Sequence, residues 1–323
     1  MSKALIELAR TLQALGYEFT TVTPATQQLV NDRPSNAVAR SLRDVFGWSR
    51  PFEASLLQSE LFELMRAADV LEPAPGADRW RSRVRMSTIE GCLFVHSAFP
   101  TLDRDAVFLG PDSVRFVKAV LRAAPLAKRV VDVGCGTGVG GILLSVRGAS
   151  VNEVVLAEIN QRALQLAAVN AALAGVSAEI VQSDILAQVK GDVDLVIANP
   201  PYLRDPESRR YRDGGGDYGE AIGVRIVREA LQRLAESERG GTLLLYTGAA
   251  VVDGVDRFSA AIAEILRRAN ARYSYEELDP DVFSDELEKP AYAEVERIAA
   301  VFLQANVGPR AGSTAFATSE PRR

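Results

Sequence analysis

The distribution of apolar residues changes after residue 105. From Arg129 to Leu303, short apolar runs alternate with stretches of helical periodicity, a pattern typical of parallel strands joined by helical crossovers. The final two predicted strands have no full-length helix between them, which indicates a terminal antiparallel hairpin. The seven predicted strands are 129–133, 154–157, 180–182, 195–198, 242–246, 272–278 and 296–303. The predicted crossover helices are 139–146, 161–174, 221–236 and 257–269.

The residues before this point follow a different pattern. Apolar residues at helical spacing come first, and two runs of alternating residues follow a Pro/Gly break. Helices followed by a hairpin are the order of elements in a winged helix, a fold often used on nucleic acid. The predicted helices cover 5–15, 36–46 and 56–68, and the predicted hairpin pairs 80–86 with 91–95.

Four arginines alternate through the first run of that hairpin: Arg79, Arg81, Arg83 and Arg85. On a single strand, this alternation would place all four on one face. One interpretation is a contact with nucleic acid, and another is an edge strand whose positive charge discourages aggregation. Acidic residues elsewhere in the region cancel the charge, which favours the edge strand.

We therefore expect three segments. A mostly helical, winged-helix-like domain covers 1–105, and an α/β domain covers 106–305. A turn and a helix that Asp112 or Ser113 can cap lie at the start of the second domain. Residues 306–323 are rich in Gly, Ser, Thr, Pro and Arg and are predicted to be a disordered tail.

Composition narrows the function classes. The 323 residues carry a formal net charge of −5, which gives no global attraction to nucleic acid. No apolar run approaches the length of about 18 residues that a membrane span needs, and the N-terminus lacks a signal-peptide core. Two cysteines, Cys92 and Cys135, make no disulfide framework, so we expect a cytoplasmic protein. The single histidine, His96, excludes the usual zinc sites and disfavours a histidine-based triad, so no metal is expected.

The first predicted strand ends in a glycine-rich turn. Gly134, Gly136 and Gly138 precede the next helix, and glycine there allows a sharp turn and the close approach of a ligand. The spacing G-x-G-x-G is one residue shorter than the dinucleotide fingerprint. Asp132, within the strand, would repel a pyrophosphate but suits a cationic ligand. Cys135 is interpreted as a small spacer, because no histidine is placed to activate its thiol.

Acidic residues also end the next two strands. Glu158 ends the second strand, where a carboxylate can accept both hydroxyls of a ribose, and Asp184 ends the third. With Asp132, these acids match the cationic amino acid, the ribose and the adenine of S-adenosylmethionine better than they match a dinucleotide. The alternative is that Glu158 and Asp184 cap helices. The predicted cofactor-binding residues are Asp132, Gly134, Cys135, Gly136, Thr137, Gly138, Glu158, Ile159, Asn160, Asp184, Ile185 and Asn199.

The fourth predicted strand ends in Asn199-Pro200-Pro201-Tyr202. A planar nitrogen is a poor nucleophile, because its lone pair is delocalised. Two oxygen atoms that accept its N–H bonds would favour the tetrahedral nitrogen of the transition state. Asn199 offers a side-chain carbonyl and Pro200 a rigidly held main-chain carbonyl, while Tyr202 offers an aromatic face for a planar amide or base. The alternative is a simple turn, since Asn-Pro and Pro-Pro are turn dipeptides. The predicted catalytic residues are Asn199, Pro200 and Tyr202.

Taken together, the glycine loop, the acids and the Asn-Pro-Pro-Tyr motif resemble the class I S-adenosylmethionine-dependent methyltransferases over residues 108–304. The resemblance implies a Rossmann-like seven-stranded sheet of order 3-2-1-4-5-7-6 with strand 7 antiparallel. The motif is similar to those of release factor glutamine N5-methyltransferases and of adenine N6-methyltransferases. The loop 213–219 and the segment 108–113 resemble parts of the glutamine enzymes, which implies substrate contacts for Phe108, Pro201 and Tyr202.

The resemblance leaves the methyl acceptor open. The overall acidity and the loop 213–219 favour a glutamine amide in a protein, whereas the possible winged helix favours an RNA or DNA base amine. Residues 1–105 are expected to recognise this substrate. A non-catalytic nucleic-acid-binding protein is a further alternative, against which the intact motif argues. A nicotinamide-dependent reductase has the wrong glycine spacing.

Overall fold

The described residues of the N-terminal part form four helices and five short strands. The computed structural model describes residues 2–76, 78–123, 126–148 and 150–309. The helices are α1 (Ser2–Ala14), α2 (Pro24–Asn31), α3 (Leu42–Phe46) and α4 (Ser59–Ala67). The strands are β1 (Phe52–Glu53), β2 (Leu71–Pro73), β3 (Arg79–Ser82), β4 (Val84–Ile89) and β5 (Cys92–Ser97). Single 3₁₀ turns cover Pro34–Asn36 and Ala54–Leu56.

The second part alternates strands and helices, as its sequence predicts. Its helices are α5 (Pro111–Ala123), α6 (Val139–Arg147), α7 (Gln161–Ala174), α8 (Ala221–Glu236) and α9 (Arg257–Arg268). Its strands are β6 (Arg129–Val133), β7 (Glu153–Glu158), β8 (Ala178–Gln182), β9 (Leu195–Ala198), β10 (Gly241–Val252), β11 (Val255–Asp256), β12 (Arg272–Asp279) and β13 (Arg297–Val307). Ser284–Glu288 and Pro290–Tyr292 are 3₁₀ turns.

The main sheet has the order β12-β13-β10-β9-β6-β7-β8. β6, β7, β8, β9 and β10 run parallel to one another, whereas β13 is antiparallel to both β10 and β12. Numbered from β6, this is 3-2-1-4-5-7-6 with strand 7 antiparallel, so the predicted α/β fold is confirmed. The short β11 adds to the end of β10.

Apolar helices cover both faces of the sheet. Adjacent residues of β6 point to opposite sides: Val130 packs in the core with α5 and α6, and Val131 in the core with α8 and α9. Burial on both faces explains why β9 is wholly apolar and why three of the five residues of β6 are valine. Asp132 points to the same side as Val130, so its carboxylate lies beneath α6 rather than in solvent.

The single strand predicted over 80–86 is wrong. β3 pairs with β1 and β2, whereas β4 pairs with β5, and Arg83 lies between the two sheets. Its backbone N–H donates to Val70, while the Ser82 hydroxyl donates to the Val84 carbonyl, and these bonds turn the chain. The hairpin itself exists, with Val84–Ile89 and Cys92–Ser97 as its strands.

The four arginines accordingly do not share one face. Arg85 is buried, donates to the Gly47 carbonyl at 2.9 Å, and has its pKa lowered to about 10 by burial. Arg83 is paired with Asp69 and Glu72. Arg79 and Arg81 lie on β3. The nucleic acid contact considered above requires four arginines on one face of a single strand. The described part of the chain contains no such strand.

Two helices differ from their predicted bounds. The helix predicted over 36–46 begins only at Leu42, because the Ser41 hydroxyl accepts from the Asp44 N–H and caps it there. α2 was not predicted, although Thr23 caps it and Pro24 occupies its first position. That Thr-Pro pair is a start signal that the sequence does contain.

The N-terminal part packs directly on α7. Ala163, Leu166 and Val169 of α7 belong to the same apolar core as α1 and α4. The Asn170 side chain bonds both the N–H and the carbonyl of Val95 in β5, and also donates to the carbonyl of Thr137. The division at residue 105 stays a prediction, and a helix of the second segment completes the core of the first.

Two expectations concern the ends of the chain and its location. β13 continues to Val307, so the predicted tail does not begin at 306, and residues 310–323 lie outside the described residues. No helix in the described ranges combines the length and the apolar character needed to cross a membrane.

His96 is fully buried against the Ser87 hydroxyl, and burial holds its pKa well below the usual value.

Candidate active site

A cavity of about 300 Å³ lies at the carboxyl ends of β6, β7, β8 and β9. This is the edge where open α/β sheets bind ligands. The cavity brings together fifteen of the predicted site residues, from the glycine loop, the strand-end acids, the Asn-Pro-Pro-Tyr motif and the segment before α5. They are Phe108, Asp132, Gly134, Cys135, Gly136, Thr137, Glu158, Ile159, Asn160, Asp184, Ile185, Asn199, Pro200, Pro201 and Tyr202, with Asn199 predicted in two roles. Gly138 does not line it.

The glycine loop leaves open space above its backbone. Gly134 and Gly136 have φ angles of 64° and 54°, and a Cβ added at either would meet no atom within 4 Å. Only glycine adopts this left-handed backbone without strain. Gly138 has another function: it caps α6, where a Cβ would lie 2.9 Å from Ile142 and 3.0 Å from Leu156. The first two glycines therefore shape the cavity, and the third packs α6 against β7.

Glu158 organises the loop around itself. Its carboxylate accepts hydrogen bonds from the backbone N–H groups of Gly136 (3.1 Å), Ile159 (2.8 Å) and Asn160 (2.9 Å). Burial raises its pKa, and these three donors act in the opposite direction. The cap of α7 is Asn160, whose side chain accepts from the Arg162 N–H. Glu158 is therefore not the helix cap of the alternative interpretation.

Glu158→Gln is expected to weaken S-adenosylmethionine binding about tenfold or more. The amide cannot accept at both of its polar atoms, so it loses either the bond from Gly136 or the pair from Ile159 and Asn160. The loss removes a charged acceptor from the cavity. Titration calorimetry measures the effect, and Glu153→Gln, at the exposed far end of the same strand, is the matched control. Equal affinity of Glu158→Gln and the unmodified protein would contradict a ligand contact.

Asp132 is a buried carboxylate that faces the cavity. It is 2% exposed, and its Oδ2 accepts from the Gly141 N–H at 2.8 Å. Burial raises its pKa to about 7, the Gly141 N–H opposes that shift, and Glu158 adds to it. Burial likewise holds the pKa of the Cys135 thiol well above its usual value, with Asp132 and Glu158 contributing. A protonated thiol is a poor nucleophile, which agrees with a spacer at position 135.

Asp184 has a partner that its sequence position does not indicate. Both of its carboxylate oxygens accept from Arg225 of α8, at 2.9 and 2.8 Å, and this pair lies at the edge of the cavity. Ile159 contributes an exposed apolar side chain to the same edge, and Ile185 is buried beside it. This end of the cavity thus offers apolar surface with a carboxylate that is already paired.

The motif after β9 presents two oxygen atoms without partners. Asn199 is half-buried and Pro200 is buried, and both line the cavity. Within the described residues, the Asn199 side chain and the Pro200 carbonyl take part in no hydrogen bond. Buried or half-buried polar atoms normally have partners. The arrangement therefore leaves two acceptors available to a ligand.

Tyr202 is fixed by aromatic packing. Its ring meets Tyr246 edge-on at 6.4 Å and Phe283 at 5.9 Å, and it lies so close to Gly248 that a Cβ there would be 2.3 Å from the ring. The Tyr202 hydroxyl is buried and accepts or donates no hydrogen bond within the described chain. Burial keeps the pKa of Tyr202 well above the usual value, so it stays protonated.

Several lining residues were missed from the sequence. Asp112, expected only as a helix cap, accepts from the Tyr246 hydroxyl at 2.8 Å and pairs with Arg115. Burial raises the pKa of Asp112, and these partners oppose the shift. Tyr246 lies one position beyond Leu245, the residue of β10 that pairs with Ala198 at the end of β9. Tyr211 lies in a loop and Arg225 lies in α8. Neither residue follows the end of a strand, so the rule that ligands bind at strand ends does not predict them.

The loop after the motif folds over the cavity. Tyr211 stacks with Phe108, with ring centroids 5.4 Å apart, and its hydroxyl donates to the Thr101 carbonyl at 2.9 Å. Arg209 holds Asp205 through two hydrogen bonds, which lower the pKa of that carboxyl. Arg212 pairs with Glu286. These contacts place a stacked aromatic pair in the lining of the cavity without any regular secondary structure.

A known family matches the part of the chain that holds the glycine loop and the motif. The family model named Methyltransferase small domain matches residues 113–247, a range that includes both. The release factor glutamine methyltransferase of Deinococcus radiodurans is 30% identical over 201 residues, which are 56% of this chain and 70% of that protein. The chain belongs to the class I S-adenosylmethionine-dependent methyltransferases. S-adenosylmethionine is the cofactor of this family, which confirms the cofactor prediction and removes the reductase interpretation.

This methyltransferase is also similar to an RNA-modifying protein. The ribosomal RNA small subunit methyltransferase C of Chromohalobacter salexigens is 36% identical over 143 residues, so the match spans 43% of this chain but only 38% of that protein. Among solved structures, TYW2 of M. jannaschii in complex with AdoMet has a TM-score of 0.48 and 14% identity, over 70% of this chain and 87% of that one.

The cavity of this methyltransferase fits S-adenosylmethionine. The space above Gly134 and Gly136 admits a ligand close to the backbone. Asp132 would face the cationic amino-acid portion, and Glu158 would accept from the ribose hydroxyls. Ile159 supplies apolar surface for the adenine. No cluster of residues suited to a metal ion is found within the described ranges.

Proposed function

We propose that this protein methylates the side-chain amide nitrogen of a glutamine in a substrate protein. The observation that carries the proposal is the pair of unpartnered acceptors at the cavity, the Asn199 side chain and the Pro200 carbonyl. A primary amide has two N–H bonds, one for each oxygen. Asn199, Pro200 and Tyr202 are thus proposed as the catalytic residues, with Phe108 and Pro201 in contact with the substrate.

The two acceptors would act on the lone pair of the nitrogen. In a free amide this pair is delocalised into the carbonyl group. Hydrogen bonds to both N–H groups favour the tetrahedral geometry in which the pair is available, and this interaction strengthens toward the transition state. Bound S-adenosylmethionine supplies a methyl group on a cationic sulfur. Asn199 and Pro200 would hold the acceptor nitrogen toward that methyl group, and the methylated nitrogen would release a proton to solvent.

The aromatic residues would hold the plane of the amide. Phe108 and Tyr211 stack on each other and line the same cavity as the motif, and Tyr202 is packed between Tyr246 and Phe283. Flat apolar walls restrict a planar group to a few orientations at low entropic cost to the protein, because the rings are already immobile. The intact motif and its rigid surroundings also argue against a non-catalytic protein.

Two observations favour a protein acceptor over a nucleic acid. The relative matched over 70% of its length is named a release factor glutamine methyltransferase. The chain carries a net charge of −5, and the arginine strand that suggested nucleic acid is divided between two sheets. A base amine is the second candidate, because the RNA-modifying relative reaches 36% identity over the matched part.

Transfer of a tritiated methyl group separates these candidates. The purified protein is incubated with labelled S-adenosylmethionine and a cell extract, and the product is then digested with nuclease or with protease. We expect the label to survive nuclease and to appear as N-methylglutamine after complete protease digestion. Label released by nuclease and recovered as a methylated base would contradict the glutamine proposal and support the base amine.

A further inference from the structure

A second, wider groove lies beside the methyl-transfer cavity. Its volume is about 820 Å³, and it runs between the strands β2 and β3, the loop 97–106 and the start of α7. Polar side chains line both of its walls. They are Glu72, Arg81 and Arg83 on the N-terminal side and Gln161, Arg162 and Gln165 on α7.

The groove is connected to the first cavity through the loop 97–106. Ala106 lines both spaces. Thr101, in the wall of the groove, is bonded through its hydroxyl (3.1 Å) and its carbonyl (2.9 Å) to the hydroxyl of Tyr211, which lines the first cavity. A chain lying in the groove would therefore lead to the aromatic side of the methyl-transfer cavity.

One arginine of this groove has no acidic partner among the described residues. Arg83 pairs with Glu72 and Asp69, and Arg162 pairs with Asp103 and Asp105. The Arg81 side chain, by contrast, makes no ion pair and no hydrogen bond with any described residue, and it lines the groove. A guanidinium without an acidic partner in the protein is available to a ligand of opposite charge.

We propose that the groove binds an extended segment of the substrate protein and that a carboxylate of this segment pairs with Arg81. The proposal rests on the proposed function, because it takes the methyl acceptor to be a protein. The guanidinium of arginine matches a carboxylate through two parallel hydrogen bonds. Gln161, Gln165 and the loop backbone offer further hydrogen bonds to the peptide groups of such a segment.

The charge of the groove favours a polypeptide over RNA. Its three arginines are balanced by Glu72, Asp103 and Asp105, so the lining has no excess positive charge. Both aspartates are exposed at the surface, and each is paired with Arg162. Binding of a nucleic acid depends on neutralising several phosphates with unpaired cations, which this groove does not provide.

Kinetics of methyl incorporation test the role of Arg81. The acceptor is the nuclease-treated protein fraction of a cell extract, used over a range of concentrations with labelled S-adenosylmethionine. Arg81→Gln should raise the protein concentration that gives half-maximal incorporation about tenfold or more, with the maximal rate within about twofold. Arg79→Gln is the matched control: Arg79 lies on the same strand but outside the groove, so its curve should match that of the unmodified protein.

A second substitution keeps the result interpretable. Arg81→Lys retains the charge but not the paired donors, and it should give an intermediate shift. Calorimetric binding of S-adenosylmethionine reports whether each variant is folded. Label in protein with an unchanged Arg81→Gln curve would overturn the groove proposal alone. Label in nuclease-sensitive material would overturn both the groove proposal and the glutamine proposal.

Discussion

Asn199→Ala is expected to reduce methyl transfer about 1,000-fold or more while the dissociation constant for S-adenosylmethionine changes by only a few-fold. The substitution removes one of the two unpartnered oxygen atoms at the cavity. An acceptor that acts mainly in the transition state affects kcat far more than ground-state binding. Single-turnover incorporation of labelled methyl measures the rate, and calorimetry measures the affinity for the cofactor.

The control for this variant is another asparagine. Asn152 is exposed at the amino-terminal end of β7, at the edge of the sheet opposite the cavity. Asn152→Ala should retain full activity. Full turnover by Asn199→Ala would remove Asn199 from the chemistry. A large loss of cofactor affinity would instead assign its main contribution to binding of S-adenosylmethionine.

Asp132→Asn is expected to weaken S-adenosylmethionine binding about 100-fold at pH 8, with a smaller effect at pH 6. An asparagine keeps the size of the side chain and an oxygen for the Gly141 N–H, and it removes only the charge. Truncating one partner of a buried charge pair has an effect of this order. Burial raises the pKa of Asp132 to about 7 in the protein without cofactor, so the carboxyl takes up a proton as the pH falls through that value.

The sign of the pH dependence follows from that pKa. The cationic ligand binds the ionised carboxylate, so affinity is fully present above about pH 7 and is lost below it. Between pH 8 and pH 6 the affinity of the unmodified protein should fall about tenfold, since one pH unit below the pKa leaves about a tenth of the carboxyl ionised. At each pH, the dissociation constant of Asp132→Asn is divided by that of the unmodified protein. This ratio is used because titration of the amino group of the ligand changes both dissociation constants equally. A ratio that does not change with pH would contradict the proposed contact.

Most of the sheet could be predicted from the sequence. Strands such as β6 and β9 are buried on both faces, and such burial demands continuous apolar runs that need no knowledge of distant residues. The turn glycines and the acids follow these strands directly, so their convergence at one edge was also predictable. The N-terminal strands were harder. Arg79–Arg85 alternates as one strand would, yet the chain turns at Arg83, and only the pairing of β3 and β4 with different partners reveals it.

By itself, the sequence determined the fold of the second segment, the family to which the chain belongs and which residues meet at the strand ends, because local periodicity and turn chemistry encode these. The tertiary structure alone decided which polar groups have partners. Asp184 is paired by Arg225, forty-one positions away, and Asp112 by Tyr246. The side chains of Arg81 and Asn199 and the carbonyl of Pro200 are left without partners in the described chain. Such pairing depends on contacts between residues distant in sequence, and the periodicity of one segment carries no information about them.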